Sequence, residues 1–176
     1  MTLRIGASAS VMMLLLAGCV VVPLNRTYFE PNPDDGTPAR SASCGYNRAA
    51  NDGLERDVSG VTLSVFPEYK EGDPLRVYIL LRRSAKAVSL DPDQVELRVG
   101  KSVPAVRPVS VEAKDAGSYF FKSIAYTFTS SAGEAADISM VLLPGFITVD
   151  GIAVTPVPFR FKKVTKMDVY YGSINC

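Results

Sequence analysis

The sequence contains no histidine. This absence excludes the Ser-His-Asp and Cys-His arrangements of nucleophilic catalysis, and it argues against a zinc enzyme, since imidazole is a principal ligand of that metal. No glycine-rich phosphate-binding loop occurs, and Cys44 and Cys176 do not form the Cys-X-X-Cys unit of thiol exchange. We therefore expect a protein that is not an enzyme and that holds no cofactor and no metal.

An excess of charge of either sign is also missing. The chain has 19 basic and 18 acidic residues, and Arg4 is the one charged residue among the first 18. The rest of the chain therefore has 18 residues of each sign and a net charge near zero. Non-specific binding of nucleic acid needs a basic face, so nucleic acid is not an expected partner.

No apolar run near the start of the chain is long enough to cross a membrane comfortably. Residues 5–16 contain no charge and follow Arg4. A spanning helix needs about 20 apolar residues, whereas the apolar core of a signal peptide has about 7–15. Residues 1–18 are therefore predicted to be a signal peptide that directs export.

The apolar run ends in Leu16-Ala17-Gly18-Cys19. This motif resembles the lipobox of bacterial lipoproteins, in which small residues fit the signal peptidase and the cysteine sulfur accepts a diacylglycerol. The resemblance covers only the first 19 residues. It implies cleavage before Cys19 and stable anchoring by several acyl chains on Cys19, since one chain anchors only marginally. The alternative is an ordinary secretory signal with an incidental cysteine.

Residue 20 is Val rather than Asp. In the sorting rule of enteric lipoproteins, an Asp after the lipidated cysteine retains the protein in the inner membrane. By the same resemblance, we expect this protein on the periplasmic face of the outer membrane, held by its lipid anchor. An envelope protein is its expected partner.

Lipidation of Cys19 leaves Cys44 and Cys176 as an even pair in an oxidising compartment. We predict a disulfide between them that joins the two ends of the folded region. In the chain-entropy model, closing so long a loop contributes about 4–5 kcal/mol. The alternative is two free thiols.

Residues 20–43 combine several prolines, Asp34-Asp35 and Gly36 with no apolar periodicity. Such a composition buries little apolar surface, and its prolines favour extended backbone. We therefore predict a lipidated N-terminus and flexible tether over 19–43, followed by a single domain over 44–176. The stretch 44–55 carries mixed signals and receives no assignment.

From residue 58 onward, apolar and polar residues alternate with a period of two, which is typical of half-buried strands. The alternation recurs over 61–65, 75–82, 95–99, 119–129, 138–142 and 157–161, and a short last strand is expected over 167–171. Pro67 is expected to end the first strand. Asp150-Gly151 predicts a hairpin with a type I′ turn, and Pro104 and Pro108 restrict any strand near them to a sheet edge.

In total the pattern predicts about eight or nine strands and no amphipathic helix of useful length. On the stretch 75–82, one face is wholly apolar and the other is mixed. One-sided burial of this kind favours an all-β fold, an antiparallel β-sandwich of immunoglobulin-like or transthyretin-like type.

Four of the seven residues from 160 to 166 are cationic, namely Arg160, Lys162, Lys163 and Lys166. One interpretation is an interaction surface for anionic lipid, lipopolysaccharide or an acidic partner. The alternative is an edge strand whose lysines block aggregation.

Two close carboxylate pairs, Asp34-Asp35 and Asp91-Pro92-Asp93, have the chemistry for calcium binding or acid–base work, but a solvated tether and a solvated turn explain them more simply.

These observations favour a lipid-anchored lipoprotein of the cell envelope that acts as a non-enzymatic binding or assembly module. Two alternatives stay open, an envelope-anchored inhibitor of a hydrolase such as lysozyme and an accessory lipoprotein of a secretion system. The partner separates them, because an inhibitor binds a single soluble hydrolase whereas an accessory protein belongs to a multiprotein machine.

Overall fold

The computed structural model describes residues 20–43, 46–82, 86–100, 104–116, 120–156 and 158–172. Cys19, Cys44 and Cys176 lie outside these ranges, as does the predicted signal peptide. Cleavage, lipidation and the disulfide therefore stay predictions.

Strands account for most of the described residues. They are β1 (Val20–Pro31), β2 (Thr37–Ala39), β3 (Ala42–Ser43), β4 (Tyr46–Arg48), β5 (Gly53–Val58), β6 (Val61–Glu68), β7 (Arg76–Arg82), β8 (Val88–Leu90), β9 (Val95–Val99), β10 (Ser110–Lys114), β11 (Phe120–Thr127), β12 (Asp137–Leu142), β13 (Ile147–Val149), β14 (Ile152–Val154) and β15 (Phe159–Gly172). Two helical turns complete the described chain, a 3-10 helix over Pro33–Asp35 and α1 over Ser130–Gly133.

The strands form three sheets in which the paired strands run antiparallel. Sheet A has the order β3-β4-β15-β12-β9, and β1 pairs with the other side of β15. Sheet B has the order β10-β11-β7-β6-β5-β2, and the small sheet C has the order β14-β13-β8. Sheets A and B each have one face in a shared core, so the predicted all-β antiparallel sandwich is confirmed. The choice between immunoglobulin-like and transthyretin-like types stays a prediction.

The core joins alternate residues of the two large sheets. Leu63 and Ile79 of sheet B and Leu97 and Phe159 of sheet A are fully buried in one cluster. Their immediate neighbours on each strand are more exposed, apart from Ser64, because successive side chains of a strand point to opposite faces. The period-two pattern therefore identified the core-facing residues correctly.

The predicted hairpin at Asp150-Gly151 is confirmed. β13 and β14 pair on either side of these two residues, whose φ angles are 50° and 82°. A type I′ turn needs positive φ at both central positions, which Asp and Gly adopt at little cost. The predicted edge strand is also confirmed, because β10 follows Pro108 at the margin of sheet B.

The predicted tether over 19–43 is wrong for residues 20–43, which form β1, the 3-10 helix, β2 and β3. Three of its four prolines occupy positions where no backbone donor is required. Pro23 and Pro31 lie on β1, which pairs with β15 and with no other described strand, and Pro33 lies in the first turn of the 3-10 helix. Proline content therefore indicated a sheet margin rather than a lack of structure, and the folded unit begins before residue 44.

Two strand boundaries also differ from the predictions. Pro67 does not end β6, because pairing with β5 stops at Val65 and a proline two residues later removes no donor from that ladder. The two segments expected over 157–161 and 167–171 belong to one 14-residue strand, β15. Pairing with β1 runs from Phe161 to Gly172 and holds the intervening polar residues extended.

Candidate functional site

The cationic run of β15 is divided between the two faces of sheet A. Phe159 and Phe161 point into the core, so Arg160 and Lys162 lie on the outer face. Lys163 lies on the core-facing side of the sheet, at the margin of the core. Its ammonium donates to the backbone carbonyl of Glu134 at 2.8 Å and lies 4.9 Å from the Tyr69 ring centre. The run therefore does not form one four-residue surface.

The outer-face cations have acidic neighbours. Arg160 forms an ion pair with Asp35, whose carboxylate also accepts a hydrogen bond from the Arg160 backbone N–H at 3.0 Å. Lys166 donates to Glu30 at 2.7 Å. Lys162 lies directly between Glu30 on β1 and Asp137 on β12. These acids balance the positive charge, so the described residues of this outer face form no strongly cationic patch.

The aggregation-guard alternative is wrong for this part of β15. Lys162 pairs with β1 on one side and with β12 on the other, so it lies inside the sheet.

The prediction that Asp35 lies in a solvated tether is wrong as well, because Asp35 is only 4% exposed. Hydrogen bonds from Arg160 hold the pKa of the Asp35 carboxyl below its ordinary value.

A hollow of about 510 Å³ lies over this outer face. Arg98, Arg160 and Lys162 line it together with Glu30 and Asp137. Its charged groups have partners of opposite sign close by, and uncharged residues line the rest of it. The charges of this hollow are therefore already balanced within the protein.

A more apolar groove lies on the outer face of sheet B, and we call it the sheet B groove. Its floor is formed by Phe66 of β6, Leu80 of β7 and Phe120 of β11, each half-buried. The groove has a volume of about 450 Å³, which is within the usual range of about 300–1,000 Å³ for ligand sites. The mixed alternation over 75–82 was the sequence signal for this face, but the sequence did not show that the strands beside it add further aromatic residues.

The floor of the groove is held in place by close packing. A Cβ atom on Gly53 would lie 2.2 Å from the Phe66 ring, so only glycine at this position lets the ring lie against the backbone of β5. Beside the ring, the buried Ser64 hydroxyl donates to Glu55 at 2.8 Å, and Arg82 forms an ion pair with the same carboxylate. The phenyl ring therefore has a defined position before any partner binds.

Charged side chains stand around the floor on both sides. Glu68 accepts a hydrogen bond from the Tyr78 hydroxyl at 3.2 Å. Arg48 donates to Asp52 at 2.9 Å and to the Ser41 hydroxyl at 2.7 Å. Arg40 is exposed, and within the described ranges it makes a hydrogen bond to Asn51 but no ion pair. Arg40 is thus a cation on the rim that has no carboxylate partner among the described residues.

A buried ionic cluster supports the Arg48 side of the groove. Arg26 of β1 contacts Asp52 and Asp168 of β15, each at 3.0 Å, and both carboxylates are almost fully buried. Burial opposes ionisation of Asp52, but hydrogen bonds from Ser41, Arg48 and Arg26 outweigh it and lower the pKa of its carboxyl. The cluster joins β1, β4 and β15 below the rim.

The other predicted carboxylate pair forms a turn. The Asp91 side chain accepts a hydrogen bond from the Asp93 backbone N–H at 3.1 Å, and the buried Tyr126 hydroxyl donates to the Pro92 carbonyl at 3.0 Å. Among the described residues there is no cluster of three or more His, Cys, Asp or Glu side chains suited to a metal ion. No helix within the described ranges has the length and apolar character needed to span a membrane.

The described residues near the two remaining cysteines are neighbours. Asn47, three positions after Cys44, lies opposite Tyr171, five positions before Cys176. The disulfide between Cys44 and Cys176 stays a prediction, because both residues lie outside the described ranges. We expect peptide mapping of the non-reduced mature protein to recover the linked pair, and quantitative alkylation of both thiols without reduction would contradict it.

No protein family model matches the chain, and the comparisons with curated proteins and with solved structures found no match.

Proposed function

We propose that this protein is a lipid-anchored, non-enzymatic binding module of the bacterial cell envelope. Lipid on Cys19 holds it at the outer membrane, and the sheet B groove binds an envelope protein. The observation that carries the binding role is the half-exposed apolar floor of Phe66, Leu80 and Phe120 on a sheet whose other face already supplies the core. Aromatic side chains in a defined, concave setting are typical anchors of binding surfaces.

The chemistry of the rim indicates the kind of partner. An apolar side chain of the partner fits the floor, where it displaces water from Phe66 and Leu80. A carboxylate beside that side chain complements Arg40, which has no acidic partner among the described residues. The proposed occupant is therefore a polypeptide segment that combines an apolar and an acidic residue.

We expect a photo-crosslinking amino acid at position 78 to capture this partner in intact cells, because Tyr78 lines the groove beside the floor. Leu80→Glu places a charge on the floor and should lower the yield of the adduct at least about tenfold, as the loss of an interface anchor does. Mass spectrometry of the adduct then identifies the contacted segment.

The matched control is Ile152→Glu, which adds the same charge at an apolar residue that is 70% exposed on sheet C. This variant should leave the adduct unchanged. An equal yield from folded Leu80→Glu protein, or no adduct at all, would contradict the proposed site. A soluble hydrolase in the adduct would favour the inhibitor alternative, and a component of a secretion machine would favour the accessory role.

A further inference from the structure

The outer end of the β1–β15 pair carries an apolar face that no other described strand covers. Val21 lies opposite Tyr171, Pro23 opposite Val169, and Asn25 opposite Met167. Directly opposed residues of two strands point to the same face, and residues two apart on a strand share that face too. These six side chains therefore form one surface, which we call the ribbon face.

Several apolar side chains of the ribbon face are exposed to solvent. Met167 is 75% exposed, Val21 61% and Tyr171 36%, although the same strands bury Phe29 and Phe161 further along. On the opposite face of the same end, Val22 and Leu24 are also exposed. Adjacent exposed apolar side chains at one end of a domain mark a surface that is covered by something else.

This end of the ribbon has no exposed charged side chain among its described residues. Between Val20 and Asn25, and between Met167 and Gly172, Asp168 is the one charged residue. It points to the opposite face, is 1% exposed and contacts Arg26 at 3.0 Å. An uncharged surface of this kind can enter the boundary between lipid headgroups and acyl chains without burying an unpaired charge.

The position of the ribbon along the chain indicates what covers it. Val21 is two residues after Cys19, and two residues span at most about 7 Å. β1 begins at Val20, so there is no long linker between the anchor and the folded domain. We infer that the ribbon face lies in the lipid surface of the membrane and orients the whole domain on it. This inference rests on the proposed lipid anchor at Cys19.

Tyr171 fits this placement, because tyrosine is enriched at the level of the lipid headgroups. The domain then stands on the membrane through the apolar ends of β1 and β15, with a fixed orientation. A domain on a flexible tether would instead take many orientations. Anchor and face act together, since the acyl chains hold the ribbon beside the lipid surface at a high local concentration.

The chain has no tryptophan, so a single introduced tryptophan reports its own surroundings. We would place Met167→Trp and, separately, Val21→Trp in the full chain and purify each from membranes with its lipid confirmed by mass spectrometry. Each protein is then inserted into vesicles of phosphatidylethanolamine and phosphatidylglycerol with brominated acyl chains. The emission of both variants should fall by about half or more, because the indole lies at the acyl boundary.

Ile152→Trp is the control, because Ile152 is similarly exposed but lies on sheet C. Its emission should not respond to the brominated lipid. Lipidated Met167→Trp and Val21→Trp proteins that are quenched no more than this control would overturn the inference. Shielding of both residues from aqueous quenchers without quenching by lipid would assign the face to contact with a second copy of the chain and also overturn it. Absence of lipid on Cys19 would remove the proposed function and this inference together.

Discussion

Replacing Phe29 by alanine is expected to lower the free energy of unfolding by about 3–5 kcal/mol, as do other large-to-small changes of buried aromatic residues. Phe29 is fully buried on β1 and meets the Tyr69 ring edge-to-face, with ring centres 6.1 Å apart. Chemical denaturation of residues 20–176, produced without Cys19 and therefore without lipid, measures the change. A segment that served only as a tether would not contribute to stability, so this result separates the two descriptions of residues 20–31.

Asn25→Ala is the control on the same strand, because Asn25 is exposed. Its effect should stay within about 0.5 kcal/mol, as is usual for surface substitutions. Equal, small losses for Phe29→Ala and Asn25→Ala would show that β1 does not pack on the domain in solution.

Arg26→Met is expected to cost a similar amount, about 3–5 kcal/mol, because it leaves buried carboxylates without their shared cation. The Asp168 side chain is fully buried, and its carboxylate also accepts hydrogen bonds from the backbone N–H groups of Ala50 and Val169. Asparagine keeps that acceptor oxygen without the charge. The double variant Arg26→Met/Asp168→Asn should therefore be more stable than Arg26→Met, and a further loss of stability in the double variant would contradict this account.

The same cluster predicts how stability depends on pH. The folded protein holds the pKa of Asp52 below its ordinary value of 3.8. The stabilisation from this group is therefore present above the ordinary pKa and is lost as the pH falls through the lowered one. The free energy of unfolding of the wild type should decrease in this acid range, and the decrease should be shallower in Arg26→Met, which lacks one of the groups that lower this pKa.

Local patterns in the sequence predicted the parts of the fold that depend on neighbouring residues. Alternation over 61–65 and 75–82 identified the core faces of β6 and β7, and Asp150-Gly151 identified the hairpin. The β1–β15 ribbon could not be found in this way, because Thr27 contacts a partner 138 residues later, Thr165. Nothing within residues 20–31 alone shows that such a partner exists.

The candidate site was predicted in part for the same reason. The cationic run of β15 was recognised, but its neutralisation depends on Asp35, Glu30 and Asp137, which come from other parts of the chain. The sheet B groove was represented in the sequence by the mixed face over 75–82. Its floor needed Phe66 beside Gly53 and Phe120 from a third strand, and only the register of the sheet brings them together.

Lipid on Cys19 is the central proposal, because both the proposed location of the protein and the proposed orientation of its ribbon depend on it. Intact-mass spectrometry of the protein purified from membranes tests it most directly, together with labelling by radioactive palmitate. We expect a mature chain that begins at Cys19 and carries acyl chains, and a Cys19→Ser variant that incorporates no palmitate. A mature chain that begins at another residue, or equal labelling of wild type and variant, would contradict it.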